Sequence, residues 1–245
     1  MGDRSGVLAV IPARYGSTRF EGKPLARLGG KAVILHVVEQ AMKCGLVDEV
    51  VVATDDERIL REVESAGFRA VMTSSGHGSG TERVAEVARE SDAEIIVNIQ
   101  GDEPMMDPDS IDGAVKALKG EPGLNVSTLG LPLGARSEFE DPNVVKVVTD
   151  RSGMALYFSR APIPYNRTGR ERTPVMKHLG LYVYRRSFLL EYAVLKPTEL
   201  EMTEQLEQLR ILEHGYGIRV VTAKRDSIGI DTPEDLKKAE ALLNV

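Results

Sequence analysis

Along the first half of the chain, apolar positions follow two alternating textures. Short continuous runs, at Val7 to Ile11, Glu49 to Thr54, Arg69 to Met72 and Glu94 to Gln100, predict strands buried on both faces of a sheet. Between them, Ala32 to Cys44, Asp56 to Ala66, Thr81 to Glu90 and Pro108 to Leu118 carry apolar residues at helical spacing. This alternation predicts right-handed crossovers and a largely parallel sheet with helices on both faces, with ligands gathered beyond the C-terminal strand ends. From about Leu124 to Arg186 the texture changes. Val126 to Leu131, Val144 to Thr149, Met154 to Ser159 and Leu179 to Tyr184 read as strands separated by Pro, Gly and polar turns. They predict an antiparallel excursion, 124–186, embedded in a single domain spanning 1–245. A helix over Met202 to His214, a strand over Ile218 to Ala223 and a helix from Pro233 complete the pattern. Ser79-Gly80-Thr81-Glu82 fits a capping box. Thr232-Pro233 fits a cap with proline at the first helical position, which leaves Asp231 free.

Composition narrows the function classes. The 245 residues include 31 Lys and Arg against 37 Asp and Glu, a formal charge of −6, which argues against a general nucleic-acid binder. With 42% hydrophobic and 28% charged residues the chain reads as an ordinary globular protein, neither disordered nor fibrous. No apolar run approaches the ~18 residues of a membrane span. Met1 to Gly6 leads straight into an apolar strand without the h-region of a signal peptide, so a cytoplasmic protein with no membrane partner is expected. The single cysteine, Cys44, excludes an intrachain disulfide and, with four scattered histidines, a thiolate zinc site.

Local charge departs from this acidic average. The loop after the first strand, Pro12 to Pro24, contains Arg14, Ser17, Arg19 and Lys23 around Gly16 and Gly22. Amides, hydroxyls and cations at a strand end suit a row of phosphate oxygens, and the same composition also fits a solvated basic surface. The loop is not a Walker motif: five residues separate its glycines, and Pro24 stands where a magnesium-binding Ser or Thr would be. Asn98-Ile99-Gln100-Gly101-Asp102-Glu103 places two carboxylates at a strand mouth, with Asp102 the candidate ligand of an oxygen-liking divalent ion; a solvated Gly-Asp turn is the alternative. Asp231 could supply a second carboxylate or belong to the helix cap. Between Arg160 and Arg186 stand seven further basic residues, Arg160, Arg167, Arg170, Arg172, Lys177, Arg185 and Arg186. They suggest a second anionic substrate, although several could be solvated or face RNA. Arg160 and His178, flanked by apolar strand residues, are expected to face an interior cleft. Glu207 and Gln208 could bind a polyol or form a wet helix face.

Together these segments resemble the 3-deoxy-manno-octulosonate cytidylyltransferase family, the CMP-Kdo synthetases of lipopolysaccharide assembly. The resemblance runs in order through Ile11 to Arg19, Gly22-Lys23-Pro24, Ala53 to Asp56, His77 to Arg83, Gln100 to Pro104, Asp141 to Lys146, Tyr157 to Tyr165, Leu206 to Arg210 and Asp231 to Asp235. It implies a Rossmann-like, mostly parallel α/β nucleotidyltransferase sheet whose antiparallel β excursion serves dimerisation, with CTP and 3-deoxy-D-manno-octulosonate (Kdo) as substrates and Mg2+ as cofactor. By the same resemblance Arg14, Ser17 and Lys23 would hold the CTP phosphates, Asp102 and Asp231 the magnesium, and Gln100 the reacting centre. Thr73 and Ser79 to Arg83 would lie near the cytosine, and Arg160, His178, Tyr182, Glu207 and Gln208 would line the sugar-acid pocket. The family commonly has Gln where this chain has Gly78, so a base contact from that side chain is missing here.

The implied chemistry is in-line attack of the sugar's anomeric hydroxyl on the α-phosphorus, driven by positioning and charge stabilisation without a covalent enzyme intermediate. Rival readings are a cytidylyltransferase for sialic acid or amino-Kdo, a glycosyltransferase, and a non-catalytic nucleotide-binding protein. Pyrophosphate release from CTP separates the last two from the rest.

Overall fold

Every residue of β1 (Val7–Ala13) is buried, as a strand covered on both faces requires. The computed structural model describes residues 6–17, 19–169 and 175–243. After β1 come a hairpin of β2 (Arg27–Leu28) and β3 (Lys31–Ala32), then α1 (Val33–Ala41), β4 (Glu49–Thr54), α2 (Glu57–Ser65), β5 (Ala70–Met72), α3 (Gly80–Arg89), β6 (Ile95–Asn98) and α4 (Pro108–Gly120). The second half runs β7 (Val126–Pro132), α5 (Arg136–Glu140), β8 (Lys146–Thr149), β9 (Ala155–Ser159), β10 (Met176–Arg185), α6 (Arg186–Tyr192), α7 (Glu199–Glu204), α8 (Gln208–Glu213), β11 (Ile218–Thr222) and α9 (Pro233–Leu243).

The main sheet has the order β11-β7-β10-β6-β1-β4-β5. On this path β10 runs against both its neighbours, while the other described strands share one direction. This is the mostly parallel α/β sheet the sequence predicts. From β1 the chain moves outward to β4 and β5, then returns to place β6 on the other side, so strand order reverses between β1 and β6. Such a reversal opens a crevice at the C-terminal strand ends. The two-residue period of β1 divides the core. Val7, Ala9, Ile11 and Ala13 cluster with α1, α2 and α4, whereas Leu8 and Val10 cluster with α3 and α6.

Two expectations need adjustment. The 124–186 segment is not wholly an excursion, because β7 and β10 belong to the main sheet and β8 and β9 alone among its described strands leave that path. The helix expected over Met202 to His214 is broken instead: α7 ends at Glu204, the next residue Gln205 has a left-handed φ of 54°, and α8 starts at Gln208. Leu206 and Leu209 still reach the core, so the apolar stripe was a sound guide to burial but not to continuity.

Candidate functional site

Two glycines bring the crevice together. A Cβ on Gly101 would stand 2.8 Å from the Pro12 carbonyl oxygen, so the chain leaving β6 lies directly against the end of β1. Gly22 has a φ of +68°, and a Cβ there would meet the Tyr15 ring at 2.9 Å. Its N–H donates to the Tyr15 carbonyl at 2.8 Å, and the Arg58 guanidinium covers the same ring at 3.3 Å. The loop is thereby folded back, and Lys23 emerges at its end on a single turn, Lys23–Leu25.

Asp231 reaches this place by a backbone tether. The Ile230 N–H donates to the Asp102 carbonyl at 2.8 Å, aligning the two acidic segments. Thr232 and Asp235 cap α9 reciprocally, with Asp235 N to Thr232 Oγ1 at 3.2 Å and Thr232 N to Asp235 Oδ2 at 3.2 Å. The expected cap therefore forms and Asp231 is left outside it. Lys23 Nζ hydrogen-bonds to both Asp102 and Asp231, the latter at 3.0 Å, and Arg19 pairs with Asp231 at 2.9 Å. Burial works to lower the Lys23 pKa, but the charges and hydrogen bonds of Asp102 and Asp231 outweigh it and raise the value above 10.5. Glu103 turns the other way, accepting from the Ser227 hydroxyl. Burial pushes its carboxyl up to about 7 against that hydrogen bond.

Among the described residues no cluster of three or more His, Cys, Asp or Glu side chains is arranged to hold a metal. Two carboxylates sharing one ammonium fit an ion such as magnesium, which takes one or two protein carboxylates and completes its shell with water and substrate phosphates. Arg14, directly after β1, is exposed, and Ser17 accepts from Phe20 N at 3.4 Å. Thr18 lies outside the described residues.

Toward β5 the residues expected near a base form a braced loop. The Arg83 guanidinium holds the Thr73 hydroxyl and, at 2.7 Å, Asp55; Thr73 in turn donates to the Thr54 carbonyl at 3.0 Å. Ser79 caps α3 by accepting from Glu82 N at 3.2 Å. Glu82 reaches past the expected partner to the Gly78 N–H at 2.8 Å, and Glu86 takes His77 and Ser74 N. Gly78 thus contributes its backbone. Gly80, at the start of α3, faces Pro12 and Gln100, and Gln100 Nε2 reaches the Gly180 carbonyl at 3.4 Å across the irregularity in β10.

On the far side of Gln100 the polar groups are more deeply buried. Asn98 Nδ2 lies 3.4 Å from Thr81 Oγ1, and the Thr81 side chain faces Glu207 and Tyr184. The Thr128 hydroxyl has one proton, and the Leu181 carbonyl at 2.6 Å takes it; the 2.9 Å contact with His178 is therefore Nε2–H donating to Thr128. His178 Nδ1 is left as an acceptor. Burial pushes the ring down to about 3, so it is neutral. Tyr182 and Tyr184 stack at 5.8 Å with phenol pKa values raised by burial, and burial also raises the Glu207 carboxyl. Gln208 is 4% exposed, and its Nε2 has no partner among the described residues.

The second basic stretch does not form one wall. Arg185 caps the end of α4 through the carbonyls of Leu118, Glu121 and Leu124, and Arg186 caps α3 through Ala88 and Arg89. Neighbouring positions at the strand end point to opposite faces, which sends the two guanidinium groups to helices on opposite sides of the sheet. Lys177 pairs with Asp226 at 2.8 Å. Arg160 donates to the carbonyls of Glu204, Pro142 and Gln205. Arg167 is exposed, and Arg170 and Arg172 lie outside the described residues. Arg58 had no signal in the sequence, because its role depends on a ring stacked beneath a cation; Asp55 lies in a motif the sequence offers, but the partners of Asp55 and Glu204 are distant along the chain.

A family model described as cytidylyltransferase matches residues 8–225. The chain is 52% identical over 244 residues to the 3-deoxy-manno-octulosonate cytidylyltransferase of Trichlorobacter lovleyi, covering 96% of this chain and 97% of that protein. It is 52% identical over 236 residues to the protein of the same name from Solibacter usitatus, covering 96% and 94%. Among solved structures, a CMP:2-keto-3-deoxy-manno-octonic acid synthetase complexed with CTP matches with a TM-score of 0.93 at 43% identity, over 98% of both chains. A 4-diphosphocytidyl-2C-methyl-D-erythritol synthase from Anaerococcus prevotii shares the fold, with a TM-score of 0.66 at 16% identity over 99% of this chain and all of that one.

Proposed function

The chain belongs to the 3-deoxy-manno-octulosonate cytidylyltransferase family, and on that premise we propose that it joins Kdo to the cytidylyl group of CTP, giving CMP-Kdo and pyrophosphate for lipopolysaccharide synthesis. The observation that carries this reading is Lys23 held between Asp102 and Asp231 at the β1/β6 crevice.

CTP enters with its triphosphate over the β1 loop, where Arg14, Ser17 and Lys23 hold its oxygens. Lys23 is the mobile part: its ammonium sits on a flexible stem and can exchange a carboxylate oxygen for a phosphate oxygen. Asp102 and Asp231 would hold a divalent ion, magnesium in our reading, whose chemistry when bound is to neutralise charge on the triphosphate and on the departing pyrophosphate. The cytosine lies toward Thr73, Ser79 and Arg83. Gln100, standing between the carboxylate cluster and β10, orients the anomeric hydroxyl for in-line attack on the α-phosphorus. Arg160, His178, Tyr182, Glu207 and Gln208 line the sugar-acid pocket, where one cation suits the acid and the buried hydrogen-bonding groups suit a polyol.

Leu156, 62% exposed, and Tyr165, 89% exposed, lie on the 124–186 segment and support a homodimer built there. No helix of the described residues is long and apolar enough to cross a membrane. We assign the reaction to the cytoplasm. The deciding experiment is pyrophosphate release from CTP with magnesium against Kdo, amino-Kdo and sialic acid. Release with Kdo well above the others is expected; release with none of them would overturn the proposal.

A further inference from the structure

The end of β9 and the α7–α8 turn bind each other in both directions. The Glu204 carboxylate takes the Ser159 hydroxyl at 2.5 Å on one oxygen and the Arg160 N–H at 2.9 Å on the other. Arg160 answers through its side chain, donating Nε to the Glu204 carbonyl at 2.8 Å and NH2 to the Gln205 carbonyl at 3.4 Å. Gln205, between the two partners and Glu207, is the one described non-glycine residue with positive φ. A non-glycine residue in that region costs free energy and persists where surrounding contacts hold it. From the other side, Glu201 holds Arg210 on α8. The helix break is thus a clasped feature and not a frayed end.

What the break presents is Glu207 and Gln208. The Glu207 side chain faces Thr81 in the first turn of α3, and its carbonyl accepts from the Tyr192 hydroxyl at 3.2 Å. Gln208 keeps a buried amide nitrogen without a partner among the described residues, which a ligand oxygen could satisfy. A straight helix through 202–214 would place both side chains on a different heading, since each residue in a helix turns the next by a fixed angle.

We infer that Glu204 is a positioning residue for the sugar acid: acting through Ser159, Arg160 and the left-handed turn at Gln205, it holds Glu207 and Gln208 in their binding orientation without touching substrate. This rests on the assignment of Glu207 and Gln208 to the Kdo pocket.

The test is steady-state kinetics of full-length Glu204→Ala and Glu204→Gln with CTP and Kdo, alongside thermal melts. Glu204→Ala is expected to raise the KM for Kdo by about tenfold, the scale of lost hydrogen bonds to a charged group, while kcat and the KM for CTP stay within about twofold. Glu204→Gln, which keeps one acceptor oxygen, should recover part of the loss. An unchanged KM for Kdo in a folded Glu204→Ala variant would overturn the inference, as would a parallel rise for both substrates. If that variant does not fold, Glu204→Gln and Ser159→Ala decide: each should raise the KM for Kdo alone, and no change in either would count against the role. A wild-type enzyme inactive on Kdo would mean instead that the underlying function is wrong.

Discussion

In the proposed function, the two ends of the crevice would recognise their ligands by different physics. At the β1 loop, Lys23, Arg19, Asp102 and Asp231 form a charged cluster in which each group has an opposite charge at hand. Around β10 and α8, His178 is neutral, the Tyr182 and Tyr184 phenols are held protonated, and the Glu207 carboxyl is raised, all by burial. Ion pairs between flexible side chains can be exchanged for phosphate oxygens as charge moves during the reaction. A desolvated set of hydrogen-bonding groups cannot, but it discriminates hydroxyl positions because a wrong partner leaves a buried group unsatisfied. One end is suited to changing charge, the other to selecting shape.

The sharpest way to break this contrast is to remove charge from the first end. Lys23→Ala and Asp102→Asn should each lower turnover by at least ~100-fold, as for other lost electrostatic stabilisers. Near-normal turnover in either, measured by pyrophosphate release, would remove that residue from the phosphate site. At the second end, Arg160→Ala should raise the KM for Kdo by about thirtyfold, given that it breaks hydrogen bonds from a charged group, with a much smaller effect on CTP. Equal effects on both substrates would place Arg160 outside the sugar end.

A smaller effect concerns pH. The folded His178 ring titrates at about 3, against 6.5 for a free imidazole, so across that window the unfolded chain binds the extra proton. The contribution to stability is fully present above pH 6.5 and is lost as pH falls toward 3. At pH 5 the loss from this residue should be about 1–2 kcal/mol. Urea unfolding at pH 7.5 and 5.0 would show it as a drop in the wild type that His178→Gln lacks, because glutamine keeps a donor for Thr128 but does not titrate. Equal drops would mean that His178 carries its proton in the folded protein.

The two ends also differed in how legible they were. Lys23, Asp102 and Asp231 could be placed at a strand mouth or beside a helix cap from local sequence chemistry, but a solvated turn or the cap itself also fitted the two acids, and only the three segments taken together pointed to one cluster. The buried strands were readable locally, as continuous apolar runs. The broken helix was not: Leu206, Leu209 and Leu212 satisfy a helical stripe whether or not Gln205 turns left-handed, and the clasp that turns it comes from Ser159 and Arg160, some 45 residues away. Arg185 and Arg186 looked like an anion wall because a one-dimensional run of cations does not record that successive strand positions face opposite ways. The short α5, α6 and β2–β3 elements span too few residues to establish a period.

The smallest effect separates two devices that place Asp231. Its backbone neighbour Ile230 is tied to the Asp102 carbonyl, while Thr232 caps the helix that follows. Thr232→Ala removes the cap and leaves the tether, so it should cost about 0.5–1 kcal/mol of stability, the usual loss for a threonine cap. Turnover should stay within about twofold of wild type, because Asp231 depends on the tether for its approach to Lys23. A chemical-denaturation curve and a pyrophosphate-release rate on the same preparation test both halves. If turnover instead collapsed with so small a loss of stability, the cap would be what sets the carboxylate's direction. The charged end would then depend on the entry of α9 as closely as the sugar end depends on its helix break, and the contrast between an exchangeable cluster and a fixed frame would fail.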